Sequence, residues 1–265
     1  METDKHSVLV AVPTTDFQVS TGIAQVFSKM SELNYYAPKD FNWKFSTTTC
    51  QGVKGYDAAR NSIAKVFLES KADYLMMIDQ DMQPPENFFD IFQTETDIIA
   101  PLLPTMKIDV DYTENSTHFR LPYCACRYTD LDDIGTASGI EIEEGGQGII
   151  DVDGVGFGCV LIKREVMEDK RMWYPMSYRR PDDHIVTLAD HDPPPIFRFH
   201  KKAFGGCDIG EDFDFCRRAR LNGYTVKLDT RITMGHLKWL DLSHLFDLKA
   251  FVSKFARQME ERQTA

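Results

Sequence analysis

The sequence predicts an α/β fold with a mixed, mostly parallel sheet flanked by helices. From His6 to Ala100, short apolar runs that read as buried strands alternate with stretches of helical period. One of those strands ends on a pair of acidic residues, at the position where open α/β sheets gather their ligands. Beyond residue 105 the alternation fades into an irregular second half.

In order, His6–Val12 (HSVLVAV) is a short apolar run ending at Pro13 and reads as a strand. Apolar residues at 19, 23, 26, 27, 30 and 33 follow helical spacing. Trp43–Cys50 alternates and is rich in threonine, which favours a strand. Asp57–Ser70 is helical, Tyr74–Ile78 is a strand, Glu86–Gln93 a short helix and Asp97–Ala100 a strand. Further on, Leu121–Tyr128 carries strand character, and Glu141–Gly146 is a polar, glycine-ended turn. Ile149–Lys163 reads as strand, bend and strand, with Gly154-Val-Gly-Phe-Gly158 at the bend. The proline-rich stretch from Met176 to Pro195 reads as a loop. Glu211–Leu221 is a helix stopped by Asn222-Gly223, Tyr224–Asp229 a strand, and Leu240–Arg262 a final amphipathic helix.

No linker or repeat divides the 265 residues, so the chain is expected to be a single domain over 1–265. Hydrophobic residues at 43% and charged residues at 27% describe an ordinary globule, with no apolar run long enough for a membrane span. The net charge of −11 argues against broad electrostatic binding to nucleic acid or anionic membrane, although Arg179-Arg180, Lys201-Lys202 and Arg217-Arg218 leave room for a local basic patch. Six scattered cysteines without a zinc-type pair, and no secretory pattern in Met1–His6, suggest a reduced, cytoplasmic protein.

Asp79-Gln80-Asp81 follows the Tyr74–Ile78 run and precedes Pro84-Pro85. Residues i and i+2 of a strand share a side, so both carboxylates are expected to leave the sheet facing one spot. Two hard oxygen ligands suit Mg²⁺ or Mn²⁺, which are held by one or two carboxylates together with substrate phosphates. A plain strand-end turn, where Asp is common, accounts for the same residues. A second acidic group, Glu211-Asp212-Phe213-Asp214, opens the late helix after Gly205-Gly206 and Gly210. The helix dipole alone favours acids there, and a carboxylate at a cleft mouth also serves as a general base. Asp214, two residues on, is expected to point away and be structural. Thr233-Met-Gly-His236 places a histidine after the last strand, a candidate third ligand beside Asp79 and Asp81.

These segments occur in an order that resembles the GT-A class of nucleotide-sugar glycosyltransferases, most like its family 2 members. The matching parts are VAVPT (10–14), AARNSIA (58–64), LMMIDQDMQPP (75–85), VDGVGFGCVLIKREV (152–166) and GEDFDFCRRARLNGYTVKLD (210–229) followed by Gly235-His236. The resemblance implies a Rossmann-like GT-A sheet, a nucleotide-sugar-binding half over 1–104, an acceptor and catalytic half over 105–239, and the C-terminal helix over 240–265. It further implies that Val12, Pro13 and Thr14 border the nucleotide base, and that Arg60, with Asn61 ordering that wall, reaches the nucleotide or its diphosphate. Asp79 would touch ribose or metal, Asp81 and His236 would bind the metal, and Gly156 and Gly158 would leave room for the transferred sugar. Asp212 would be the base of an inverting transfer, with Glu211 as neighbour and runner-up. The implied cofactor is Mn²⁺ or Mg²⁺, and the donor a nucleoside-diphosphate sugar. The acceptor is open: saccharide, small molecule, protein or a modified viral DNA base.

Asp190 and Asp192 repeat the acid-x-acid pattern and form a rival site. Two other functions stay open at this level. One is a non-catalytic nucleotide-sugar binding protein. The other is a sugar nucleotidyltransferase, disfavoured because Pro13–Gln18 holds no Lys or Arg for a phosphate loop.

Overall fold

The first apolar run forms β1 (His6–Thr14), followed by α1 (Thr21–Tyr36), β2 (Trp43–Gln51), α2 (Tyr56–Glu69) and β3 (Tyr74–Ile78). Then come β4 (Met82–Gln83), a 3-10 helix (Glu86–Gln93), β5 (Ile98–Leu102), β6 (Lys107–Asp111), β7 (Ser116–Arg120), β8 (Ala125–Tyr128) and β9 (Ala137–Gly139). The rest comprises β10 (Ile149–Asp151), β11 (Gly154–Val155), β12 (Cys159–Lys163), α3 (Arg164–Glu168), β13 (Ser177–Arg179), β14 (Ile185–Thr187), α4 (Glu211–Leu221), β15 (Val226–Thr233) and β16 (Gly235–His236). This computed structural model describes residues 5–14, 18–38, 41–53, 55–105, 107–111, 116–120, 123–140, 142, 148–174, 177–179, 185–187, 195–198 and 209–237.

Seven strands form the main sheet in the order β10-β15-β5-β12-β3-β1-β2. β1, β2, β3, β5 and β15 run in one direction, and β12 and β10 run against them. The α/β class and mostly parallel sheet expected from the sequence are present, and strands from both halves of the chain share that sheet. Alternation along each strand splits the core into two layers. Val8, Val10, Val12, Met76 and Ile78 face α1 and the 3-10 helix, whereas Leu9, Ala11, Leu75 and Met77 face α2, α3 and α4. Burying each of these side chains contributes about 1.5–3 kcal/mol, which fixes the register of the strands that carry the site.

Local signals in the sequence account for the helix ends. Ser20 caps α1, its Oγ accepting from the Ile23 N–H at 3.2 Å. Gly223, with φ of +90°, turns the chain after α4, as Asn222-Gly223 predicted. Several details differ. The last strand starts at Val226 and runs on to Thr233, and Thr225 before it is bonded to the Asp97 carboxylate. The Glu86–Gln93 helix is of the 3-10 type. β3 stops at Ile78, before the acids, and the two-residue β4 lies between them and Pro84-Pro85. The final helix over 240–265, the turn at 143–146 and the acids Asp190 and Asp192 lie outside the described residues. Among the described residues no helix is long and apolar enough to cross a membrane.

Candidate functional site

At the carboxyl ends of β1 and β3 lies a cavity of about 720 Å³, closed on the far side by the start of α4. Pro13, Thr14, Arg60, Asp79, Asp81, Gly156, Gly158, Glu211, Asp212 and His236 all line it. Val12 and Asn61 are the exceptions among the residues singled out in the sequence: Val12 is fully buried in the core on the α1 side, and Asn61 is bound to another segment. The Asn61 amide accepts from the N–H groups of Ile196 and Phe197 at 2.8 and 2.9 Å and donates to the Phe197 carbonyl at 2.8 Å.

The two aspartates reach the cavity by a different route from strand alternation. Asp79 already lies beyond β3, its N–H bonded to the Gly158 carbonyl, and Asp79–Met82 is a turn closed by the Met82 N–H on the Asp79 carbonyl at 3.0 Å. The turn, rather than the pleat, brings both carboxylates to one cavity. His236 arrives through β16, which pairs with β4 so that His236 sits opposite Met82. The Leu237 N–H then bonds the Asp81 carbonyl at 2.9 Å. As a result His236 Nε2 is 3.2 Å from Asp81 Oδ2, and Nδ1 is 3.2 Å from the Pro104 carbonyl. A carbonyl only accepts, so a hydrogen bond there is donated by Nδ1–H, which leaves Nε2 as the nitrogen that faces Asp81. A backbone carbonyl behind the ring is also the usual orienting partner of a metal-ligating histidine.

Arg60 is 4% exposed. Its guanidinium pairs with Glu211, lies 3.7 Å from Asp79 Oδ2 and sits 5.4 Å above the centre of the Phe157 ring. Three elements of the site, α2, the turn after β3 and α4, are thereby tied together by charge. Asp79 is drawn toward Arg60 while Asp81 pairs with His236. The expected triad of Asp79, Asp81 and His236 is therefore not closed. Among the described residues no group of three or more His, Cys, Asp and Glu side chains is arranged to hold a metal ion.

Burial raises Asp79 above the ordinary carboxylate range; Arg60 opposes the shift and neighbouring Asp81 and Asp212 add to it. Burial likewise raises Glu211, with Arg60 opposing and Asp212 adding. Asp212 is raised by burial too, opposed by Arg60 and then by the backbone N–H groups of Phe213 and Phe157. Its Oδ1 accepts from the Phe213 N–H at 2.8 Å, which fixes the carboxylate at the mouth of α4. Asp214 is turned into the protein, where the Tyr174 hydroxyl and Arg218 Nε hold it. Of the two acids that open α4 toward the cavity, Glu211 is paired with Arg60, and Asp212 makes no ion pair among the described residues.

Packing also explains the glycines. A Cβ on Gly156 would overlap the Cys124 sulfur, and one on Gly158 would lie 3.2 Å from the Met82 sulfur. Gly154 would meet Phe213 at 2.7 Å and Cys126 at 2.8 Å. These glycines accommodate the side chains behind the cavity wall. The Cys124-x-Cys126 spacing, which suggested no metal in the sequence, is the counterpart of Gly154-x-Gly156 across the β8–β11 ladder. Thr14 is 4% exposed, and its Oγ1 is the buried side-chain oxygen without a hydrogen-bond partner among the described residues. Beside it, Tyr56 is 66% exposed at the cavity rim and escaped the sequence reading, because an aromatic at a helix start carries no distinguishing signal.

No protein-family model matches the chain, and no curated protein matches it. Solved structures do. The chain is similar to A197 from STIV at 17% identity and a TM-score of 0.41, over 88% of this chain and 86% of that one. It is similar to GalNAc-T7, solved with UDP, GalNAc and Mn²⁺, at 11% identity and a TM-score of 0.40, over 89% of this chain and 44% of that one. It is similar to the inositol-1-phosphate CTP transferase from T. maritima at 11% identity and a TM-score of 0.38, over 95% and 98% of the two chains. The run of the sheet, with the cavity at the carboxyl ends of its parallel strands, is that of an open α/β fold.

Proposed function

We propose that this chain is a metal-dependent glycosyltransferase, moving a sugar from a nucleoside-diphosphate sugar to an acceptor hydroxyl with inversion. The observation that carries the reading is His236, whose two ring nitrogens both face oxygens in a cavity shared with Asp79, Glu211 and Asp212. A diphosphate entering such an acidic space needs a cation, and Arg60 is already matched by Glu211. Asp81 and His236 would hold Mn²⁺ or Mg²⁺, the remaining positions falling to phosphate oxygens and water. The ion, when bound, neutralises charge that develops on the leaving diphosphate.

The chain's own residues do the rest. The orphaned Thr14 hydroxyl and the adjacent Pro13 offer an edge for the nucleotide base. Asp79 faces the ribose or the ion. Arg60, at the cavity wall where the resemblance puts the diphosphate contact, also holds Glu211 in place and leaves Asp212 as the base. Asp212, once ionised, takes the proton of the acceptor hydroxyl as that oxygen attacks the anomeric carbon opposite the leaving diphosphate. A carboxylate raised by burial is the stronger base for that step.

The test is a thermal-shift panel of UDP-, GDP-, ADP- and dTDP-sugars, each with Mn²⁺ and with EDTA, followed by product analysis. Metal-dependent stabilisation by one base, with transfer to a hydroxyl, supports the proposal. Donor binding without turnover, unaffected by Asp212→Asn, would instead make this a donor-binding protein. Release of pyrophosphate from a nucleoside triphosphate would make it a nucleotidyltransferase.

A further inference from the structure

Gln83 lies two residues beyond Asp81, faces no part of the cavity and is packed between two glycines from distant parts of the chain. On one side is Gly22, in the first turn of α1. Its N–H donates to Gln83 Oε1 at 3.3 Å, and a Cβ there would overlap the Gln83 amide. On the other side is Gly235 of β16, directly opposite Gln83 in the β4–β16 pairing, where a Cβ would lie 2.8 Å from Gln83 Cβ. The start of α1 is fastened to the same turn twice more: the Ser20 N–H donates to the Gln80 carbonyl at 3.0 Å, and Ser20 Oγ donates to the Met82 carbonyl. Gly22, Gln83 and Gly235 thus form one stack from α1 through the acidic turn to the strand that carries His236.

From this stack we infer that Gln83 is a positioning residue, setting the approach of His236 to Asp81 by holding β16 against β4. The inference rests on the reading of Asp81 and His236 as the cation ligands, and it adds how their spacing is fixed. The physical reason is that β4 and β16 have two residues each, a short ladder that the Leu237 N–H bond to the Asp81 carbonyl extends. A side chain packed between two glycine backbones adds a constraint from the side of α1. Neither glycine can be replaced without displacing Gln83, so the stack explains both at once.

The experiment uses the full chain with Gln83→Ala and Gln83→Met, the latter keeping the space filled. Two quantities are read: Mn²⁺ affinity by electron paramagnetic resonance, and the nitrogen-15 signals of the His236 ring by NMR in metal-free protein. Positioning by Gln83 predicts that Gln83→Ala weakens Mn²⁺ binding about tenfold or more and shifts both ring-nitrogen signals. Gln83→Met should restore most of both. Gly22→Ala, which pushes on Gln83 from the α1 side, should reproduce the shift if Gln83→Ala fails to fold. Wild-type Mn²⁺ affinity and unmoved His236 signals in Gln83→Ala, with only a lower Tm, would overturn the inference. Should the wild-type chain bind no Mn²⁺, the cation reading fails by itself. The metal-free His236 signals then still decide the positioning role.

Discussion

Glu211 and Asp212 are neighbours in sequence with opposite energetic roles. Glu211 shares its burial with Arg60, 151 residues away in the chain, and each is 4% exposed. Breaking a buried ion pair leaves an uncompensated charge, so Glu211→Gln is expected to lower stability by about 3 kcal/mol, read by denaturant unfolding. The remaining contact of Arg60 with Asp79 keeps the loss at the low end of that range. Asp212 makes no such pair among the described residues and is held by backbone N–H groups. Its replacement by Asn should cost no stability and leave donor binding intact, while transfer falls by about 10²–10⁴-fold. If Glu211→Gln instead abolished transfer at full stability, the roles of the two acids would be exchanged.

At the scale of elements, β8 and β11 form a wall in which sulfur fills the space left by glycine. Cys124 sits against Gly156 and Cys126 against Gly154, and Phe213, next to Asp212, also leans on Gly154. Gly156→Ala is expected to cost about 1–3 kcal/mol through overpacking. Cys124→Ala should relieve that cost, so the double variant should recover most of the lost stability. A double-mutant cycle measured by unfolding checks it: additive losses would mean that the wall tolerates the clash by other means. Removing a thiol to accommodate a methyl separates this packing account from one in which Gly156 exists to leave space for a sugar.

For the molecule as a whole, the raised carboxyls of the site make stability depend on pH with a definite sign. Asp79 and Asp212 are held above the ordinary carboxylate range by burial, so at these groups the folded chain binds more protons than the unfolded one. Their contribution is full below the unfolded values, near pH ~4, and is lost as pH rises through the folded values. Elsewhere the sign is reversed. The Arg171 side chain holds Asp169 down to about 2, and for Asp73 the hydrogen bonds from Ser7 outweigh burial. Those two lose their contributions only below the ordinary range, so the site governs the window above it. Metal-free protein should therefore melt lower at about pH 7.5 than at about pH 5. Mn²⁺ at a hundred times its Kd should restore about 2.7 kcal/mol at the upper pH, read as a rise in Tm of several degrees. A melting temperature that climbs steadily with pH in EDTA would contradict the buried-acid account.

The sequence alone determined the alternation of strands and helices, the pair of acids that follows β3 and the bounds of α4, because burial imposes a local period on each element and acids at strand ends stand out against it. Spacing could not show that Asp79 and Asp81 are presented by a turn, that Arg60 is consumed by Glu211, or that Asn61 serves the backbone at Ile196 and Phe197. Nor could it show that His236 reaches Asp81 through a two-residue ladder wedged by Gln83. Each of these is a pairing between segments far apart in the chain, and only the packed sheet, which fixes where its strand ends lie, decides which partners come within a few ångströms of each other.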